Sequence, residues 1–189
     1  MAKRQKSERY VSRGGDKLEG VLSGFALDVS DYIVADLGAN VGGFTDCVLQ
    51  NGACKVYAVD TGYGVLEWKI RQDKRVVVME RTNALHVDLP ELVDLVVVDV
   101  GWTPLRQIVS KALSLLKPEG LLVSLLKPQY EAQDDERIKG VVKPECVDLV
   151  VSRTVDRIVE LGVNVQSQIW SPILGSGGNR EAFLLIKND

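Results

Sequence analysis

The sequence predicts an open α/β fold: a doubly wound, mostly parallel sheet of about seven strands, with helices between them. Three observations carry this expectation. Apolar runs of strand length alternate with helical stripes along nearly the whole chain. Residues 32–60 read as strand, glycine turn, helix, strand, which is half of an open nucleotide-binding unit. An acid, Asp60, closes the second strand 22 residues after Gly38, the distance at which such units place a ribose-binding carboxylate.

The elements follow in order. Residues 1–9 form a flexible basic arm, and residues 10–189 form one domain. Ser12-Arg13-Gly14-Gly15 reads as a turn. Leu18, Val21, Leu22 and Phe25 then recur at helical spacing, with Lys17 at the helix start, where the dipole disfavours a cation. Residues 33–37 are the first strand. Phe44, Cys47 and Val48 give one helical face, with a stop at Asn51-Gly52. Residues 56–59 are the second strand, followed by a short helix through Leu66, Trp68 and Ile70. Residues 75–79 make the third strand and 94–100 the fourth, with Asp99 at its end. Thr103-Pro104 reads as a helix start, with threonine as cap and proline in first position. The stripe Leu105, Ile108, Val109, Ala112, Leu113 and Leu116 follows. Pro118-Glu119-Gly120 turns the chain into a fifth strand, residues 121–126, ended by Lys127-Pro128. Residues 130–143 are a polar loop or short helix. Val147 to Ile158 is helical by spacing, and Gly162 ends that helix. Residues 163–170 and 182–186 make two last strands in a hairpin-like edge, joined by a glycine-rich loop.

Composition narrows the class. With 189 residues, 46% hydrophobic and 26% charged, the chain suits one soluble domain with a substantial core. No apolar run is long enough to span a bilayer, and no signal-peptide pattern opens the chain. Cys47, Cys54 and Cys146 are widely spaced and form no metal-type pair, which fits reduced thiols in a cytoplasmic protein. The net charge is −3, yet Lys3, Arg4, Lys6, Arg9, Arg13 and Lys17 crowd the start against only Glu8 and Asp16. A basic arm on an acidic body can dock phosphates locally.

The glycine spacing narrows the ligand. Gly38, Gly42 and Gly43 form Gly-x-x-x-Gly-Gly, not the Gly-x-Gly-x-x-Gly of dinucleotide enzymes, and no Walker lysine follows. A turn that admits a nucleoside without the pyrophosphate pattern suits S-adenosylmethionine. The sheet is therefore expected to be Rossmann-like. Asn83 and its neighbours follow the third strand, where an adenine edge can be read. The lone His86 has no metal or triad partner and is read as incidental. Asp99, Lys127 and Glu181 stand at the ends of apolar runs, where burial makes unpaired charge costly.

The chain resembles the hemolysin-A-type (TlyA) branch of the FtsJ-like ribose 2′-O-methyltransferases. The matching segments are Tyr10-Val11-Ser12-Arg13-Gly14-Gly15-Asp16-Lys17-Leu18, Gly42-Gly43-Phe44-Thr45-Asp46, Tyr57-Ala58-Val59-Asp60 with Gly62-Tyr63-Gly64, Glu80-Arg81-Thr82-Asn83, Lys127-Pro128-Gln129-Tyr130-Glu131, and Ser171-Pro172-Ile173 with Gly178-Asn179-Arg180-Glu181. They run in family order from residue 10 to 186. The resemblance implies a catalytic set of Lys17, Asp99, Lys127 and Glu181, and so gives Lys17 a job that spacing leaves open. It implies S-adenosylmethionine held by Asp36, Gly38, Ala39, Asn40, Gly42, Gly43 and Phe44, by Asp60 and Thr61, by Glu80, Thr82 and Asn83, and by Asp99. It implies that the Rossmann-like sheet is of the class I S-adenosylmethionine-dependent methyltransferase type. It implies RNA, ribosomal RNA above all, as partner. Arg4, Lys6, Arg9 and Arg13 of the basic start are the expected contacts, and Trp102, in a segment unlike the family's, either stacks on a base or packs on the helix below. The residues themselves show no metal-ligand spacing, and the membrane-lysing role in the family's historical name finds no spanning or strongly amphipathic basic segment here, so no metal and no membrane are expected. Lys127 would either accept the hydroxyl proton or stay protonated and stabilise negative charge.

Two departures from the family stand out. The branch carries a small RNA-binding domain before the arginine-glycine segment, where this chain has only the basic arm. After Asp99 the family has Val-Ser-Phe-Ile-Ser, whereas this chain has Val100-Gly101-Trp102-Thr103-Pro104. The alternatives are a methyltransferase with a non-RNA acceptor and a non-catalytic, cofactor-binding assembly factor.

Overall fold

A computed structural model describes residues 9–188; Arg4 and Lys6 of the expected arm lie outside them. In chain order the regular elements are α1 (Arg13–Gly24), β1 (Ile33–Leu37), α2 (Gly43–Gln50), β2 (Lys55–Val59), α3 (Trp68–Arg71), β3 (Val76–Met79), β4 (Val93–Val98), α4 (Leu105–Ser114), β5 (Leu116–Leu126), α5 (Pro128–Glu131), β6 (Arg137–Ile138), β7 (Val141–Val142), α6 (Val147–Val159), β8 (Asn164–Trp170) and β9 (Ala182–Lys187). The main sheet has seven strands in the order β3-β2-β1-β4-β5-β9-β8. The pairs among β1 to β5 are parallel, while β9 runs antiparallel to both β5 and β8. The expected hairpin-like edge is present: β8 and β9 pair antiparallel, and β9 sits between β5 and the edge strand β8.

The strands form because alternate side chains feed two cores. Val34, Val56, Leu95, Val97, Val123 and Phe183 face Leu18, Val21 and Leu22 of α1 and Phe44, Cys47 and Val48 of α2. Their neighbours Ala35, Tyr57, Val96, Val98, Leu122 and Leu184 face Leu105, Ile108, Val109 and Ala112 of α4 and Val151 and Ile158 of α6. Each fully buried Leu, Ile or Val contributes roughly 1.5–3 kcal/mol relative to exposure. Both faces are therefore closed to water, and polar chemistry is pushed to the strand ends.

Several local expectations change. Ser12 to Gly15 is the start of α1, not a turn. Ser12 is extended (φ −156°, ψ 165°), and its side chain accepts from the Gly14 N–H. The glycines are there for close packing. A Cβ on Gly43, at the start of α2, would stand 2.2 Å from Ser12 Oγ and 3.0 Å from the Gly15 nitrogen. Lys17 consequently lies in the second turn of α1, not at its start. Strand β4 ends at Val98, so Asp99 sits just beyond it, its N–H donating to the Leu37 carbonyl (3.0 Å). Leu116 belongs to β5, which begins before the expected turn at 118–120. Residues 130–143 contain the small hairpin β6–β7.

Thr103 does not cap α4 and Pro104 is not its first residue. Pro104 occupies the cap position with no side-chain cap bond, and Glu131 Oε1 instead accepts from the Leu105 N–H at 2.7 Å. The cap comes from 26 residues away, beyond the reach of local sequence rules. Loss of this carboxylate in Glu131→Ala should cost about 0.5–2 kcal/mol in urea unfolding. Thr103→Ala should change stability by less than about 0.5 kcal/mol, as an ordinary surface substitution does.

Candidate active site

The carboxyl ends of β1, β2, β4 and β5, with the start of β9, surround one cavity of about 570 Å³. That volume lies in the usual range for small-molecule sites. Because β9 is antiparallel, its first residue stands at the same edge as the last residue of β5, where Ala182 pairs with Leu126. The residues just before and just after these strands, Glu181 and Lys127, both line the cavity.

One side is built by the glycine turn. The Gly38 and Ala39 N–H groups donate to the Val59 carbonyl (2.9 and 3.0 Å), which folds the chain back over β2. Gly38 has φ +93°, and a Cβ there would lie 2.7 Å from the Asp99 carbonyl oxygen, so a side chain is excluded on two counts. Asp60 is fixed by two backbone donors, Asn40 N–H to Oδ2 (2.8 Å) and Gly62 N–H to Oδ1 (2.7 Å). Each oxygen keeps lone-pair capacity for ligand hydroxyls. Thr82, Asn83, Ala84 and Leu85 close this side.

Of the residues expected on the cofactor, Gly38, Asn40, Asp60, Thr61, Thr82, Asn83 and Asp99 line the cavity. Ala39, Gly42, Gly43 and Phe44 are buried outside its wall and shape the turn from behind. Asp36 is fully buried and also lies off the wall. Its Oδ2 accepts from Thr45 N–H (2.9 Å) and Thr45 Oγ1 (2.6 Å), while its Oδ1 has no hydrogen-bond partner. Burial pushes the Asp36 carboxyl up to about 7 against the Thr45 donors, and the charges of Asp99 and Asp60 add to the rise. Glu80 likewise stands off the wall. It accepts from the N–H groups of Gly64 (2.9 Å), Val65 (3.2 Å) and Leu66 (3.4 Å) and pairs with Arg71, so it moulds the loop after Asp60. The Gly64 N–H, first among these partners, holds its carboxyl below the usual range.

The opposite side carries two ion pairs. Lys17 Nζ lies 2.5 Å from Glu181 Oε2, with side chains 10% and 3% exposed. Lys127 Nζ lies 2.5 Å from Asp99 Oδ1 and donates to the Val100 carbonyl (3.0 Å). All four expected catalytic side chains thus share one cavity wall. Arg13 lines the cavity too, and its Nη2 donates to the Leu174 carbonyl (3.2 Å). Arg9 does not reach the cavity wall. It pairs with Glu19 at 3.0 Å and lies over the Tyr10 ring. Trp102 is 86% exposed with φ +63°, its ring centroid 5.2 Å from that of Tyr130. Sequence reasoning missed Gln129, whose Nε2 donates to Glu181 Oε1 (3.4 Å), and Thr103, which lines the cavity. The only local signal for Gln129 is its place two residues after Lys127.

The profile of the FtsJ-like methyltransferases matches residues 10–188. The chain belongs to the FtsJ-like methyltransferase family. It is 45% identical over 183 residues to YqxC of Bacillus subtilis, assigned as an rRNA methyltransferase, covering 94% of this chain and 65% of that protein. It is 39% identical over 188 residues to the 16S/23S rRNA (cytidine-2′-O)-methyltransferase TlyA of Mycobacterium tuberculosis, covering 96% of this chain and 70% of that protein. A solved structure from Streptococcus thermophilus, assigned as a hemolysin, superposes with a TM-score of 0.91 at 39% identity, covering 97% of this chain and 69% of that chain. An FtsJ-like chain takes S-adenosylmethionine as its cofactor, and the site fits it. Asp60, fixed by two backbone donors beside the glycine turn, presents carboxylate oxygens to the hydroxyls of a nucleoside ribose. All three cysteines are free, and no helix among the described residues is long and apolar enough to cross a membrane.

Two outcomes test this site. Lys17→Met strands a buried carboxylate and should cost about 3–5 kcal/mol, whereas Lys17→Met with Glu181→Leu should recover most of that loss in denaturant unfolding. The second concerns Asp36. An acid whose carboxyl is raised to about 7 in the fold binds its proton more tightly folded than unfolded. Stability from this group is therefore full below about pH 4 and falls as pH rises through about 7. Asp36→Asn cannot ionise, so its stability relative to the parent should improve by about 1–3 kcal/mol between pH 5 and pH 8.

Proposed function

We propose that this chain is an S-adenosylmethionine-dependent RNA methyltransferase acting on a ribose 2′-hydroxyl, with ribosomal RNA as its substrate. One observation carries the reading. Two lysine–carboxylate pairs, Lys17–Glu181 and Lys127–Asp99, face the same cavity as the glycine turn and Asp60. The 39% identity to TlyA of Mycobacterium tuberculosis, a (cytidine-2′-O)-methyltransferase, supports the acceptor.

The bound cofactor supplies a methyl group already activated on a cationic sulfur. Gly38, Asn40, Asp60, Thr61, Thr82 and Asn83 hold it, with Asp60 on the ribose hydroxyls and Asn83 at the adenine. The cations Lys3, Arg4 and Lys6, which precede the domain in sequence, are proposed to meet the RNA backbone. On the acceptor side the problem is a weak nucleophile whose proton must leave. Both partners of the Lys127 amine, Asp99 Oδ1 and the Val100 carbonyl, are acceptors, so it donates to each. The remaining N–H points its charge at the attacking oxygen and stabilises the negative charge that develops there. Asp99 Oδ2 is left to accept the hydroxyl proton. Lys17, fixed by Glu181, adds a second positive charge on the same wall. Arg13 and Trp102 contact the RNA that flanks the target nucleotide. In-line positioning supplies a large share of the rate.

The deciding assay incubates purified protein and labelled S-adenosylmethionine with total RNA, with intact ribosomal subunits, or alone, and then maps modified positions. Label should enter RNA at a ribose. Lys127→Ala should lower transfer by about 10²–10³-fold with cofactor affinity little changed. Absence of label from every RNA overturns the proposal.

A further inference from the structure

Glu181 sits in a slot with a backbone wall. A Cβ built on Gly175 would stand 2.1 Å from Glu181 Oε1 and 2.3 Å from its Cδ, so the loop backbone touches the carboxylate. The position of that loop therefore sets the position of the carboxylate, which in turn holds the Lys17 amine. Gly175 is placed by Asn179. The Gly175 N–H donates to the Asn179 carbonyl (2.8 Å), and the Gly178 N–H donates to the Gly175 carbonyl (3.1 Å).

The Asn179 side chain is buried, and both ends of its amide are used. Oδ1 accepts from the Val142 N–H (3.0 Å), and Nδ2 donates to the Gly140 carbonyl (3.1 Å). Both partners belong to the β6–β7 hairpin. That hairpin is anchored in turn. Val142 packs with Val147 and Val150. The Lys143 N–H donates to the Glu136 carbonyl (2.9 Å), and Glu136 takes a two-pronged bond from Arg153 of α6 (2.8 and 2.7 Å). Arg137 donates to the Gln129 carbonyl (3.1 Å), and the Gln129 side chain returns to Glu181 Oε1 (3.4 Å). The contacts close into a ring: Glu181, Gly175, Asn179, hairpin, Gln129, Glu181.

The geometry points to Asn179 as a positioning residue for Glu181, and through it for Lys17, in the methyl transfer proposed above; it acts through Gly175 and touches no substrate. This inference rests on that functional reading for its kinetic readout. A side chain that only closed a surface turn would have no need to be buried or to use both ends of its amide. Removing it frees Gly175 to shift against Glu181 by a fraction of the slot, and misplacement on the scale of 1 Å at a reacting centre costs about 10²-fold in rate.

The test is a kinetic double-mutant cycle on the full chain. Asn179→Ala should lower kcat by about 10–100-fold while the dissociation constant for S-adenosylmethionine stays within about 2-fold, because the cofactor side is untouched. In a Glu181→Gln background the same substitution should change the residual kcat by less than about 2-fold, since its route is already broken. Gly175→Ala keeps the Asn179 bonds but drives a methyl into the carboxylate. It should reproduce the kcat loss, and it reads the same link if Asn179→Ala does not fold. A folded Asn179→Ala protein with parental kcat overturns the inference, as does one that loses the same factor in both backgrounds. If the parent protein labels no RNA, the functional proposal fails by itself. The link is then read from unfolding. Coupling between Asn179→Ala and Glu181→Gln of at least about 5-fold in the unfolding constant supports positioning, and additivity overturns it.

Discussion

The central strands of this sheet are apolar on both faces, and that constraint arranges everything else. A charge in the buried stretches of β1, β4 or β5 lies between two hydrophobic layers away from water. Asp36, buried in β1, takes two bonds from Thr45 and is pushed toward its neutral form, while the other charges of the site stand at the strand ends, where backbone donors and opposite charges are available. Asp60, Asp99, Lys127 and Glu181 all stand one residue outside a strand. The binding site is what remains when a buried sheet has to place its polar groups somewhere. The single reversed strand matters here. Because β9 runs against β5, its beginning brings a carboxylate to the edge where the parallel strands deliver their ends.

The electrostatics of that edge are uneven. On the glycine-turn side Asp60 is held by two backbone N–H donors, and Asp36 is buried off the wall with its carboxyl pushed toward the neutral form. On the other side each carboxylate is matched by a lysine within 2.5 Å. The cavity thus has a backbone-held carboxylate on one side and two lysine–carboxylate pairs on the other, and the two sides come from different strands.

How much of this was legible in the sequence depends on how local the cause is. The unit from β1 to β2 reads correctly because its strand period, glycine turn and closing acid are all short-range signals. The four charges on the acceptor wall stand out because they interrupt apolar runs, or because their motifs match a known family. The start of α1 reads as a turn because Gly14 and Gly15 look like turn residues, yet Gly14 serves contact with α2 and Gly15 makes room for the Tyr10 ring. The α4 cap was misread because the true acceptor, Glu131, is distant in sequence. The insertion of β9 between β5 and β8 leaves no mark on periodicity, since antiparallel and parallel partners bury the same faces. Asp36 was expected on the ligand because it belongs to the turn motif, but its side chain points into Thr45.

The Lys17–Glu181 pair spans 164 residues of sequence. Lys17 precedes every strand of the sheet, and its carboxylate follows all of them but β9. Until β9 is made, β5 has no neighbour on its outer side and Lys17 lacks Glu181. Both are supplied together, because the same strand that completes the sheet carries the carboxylate to its base. Completion of the sheet and completion of the Lys17–Glu181 pair are one event, so a shortened chain ending before residue 181 lacks both.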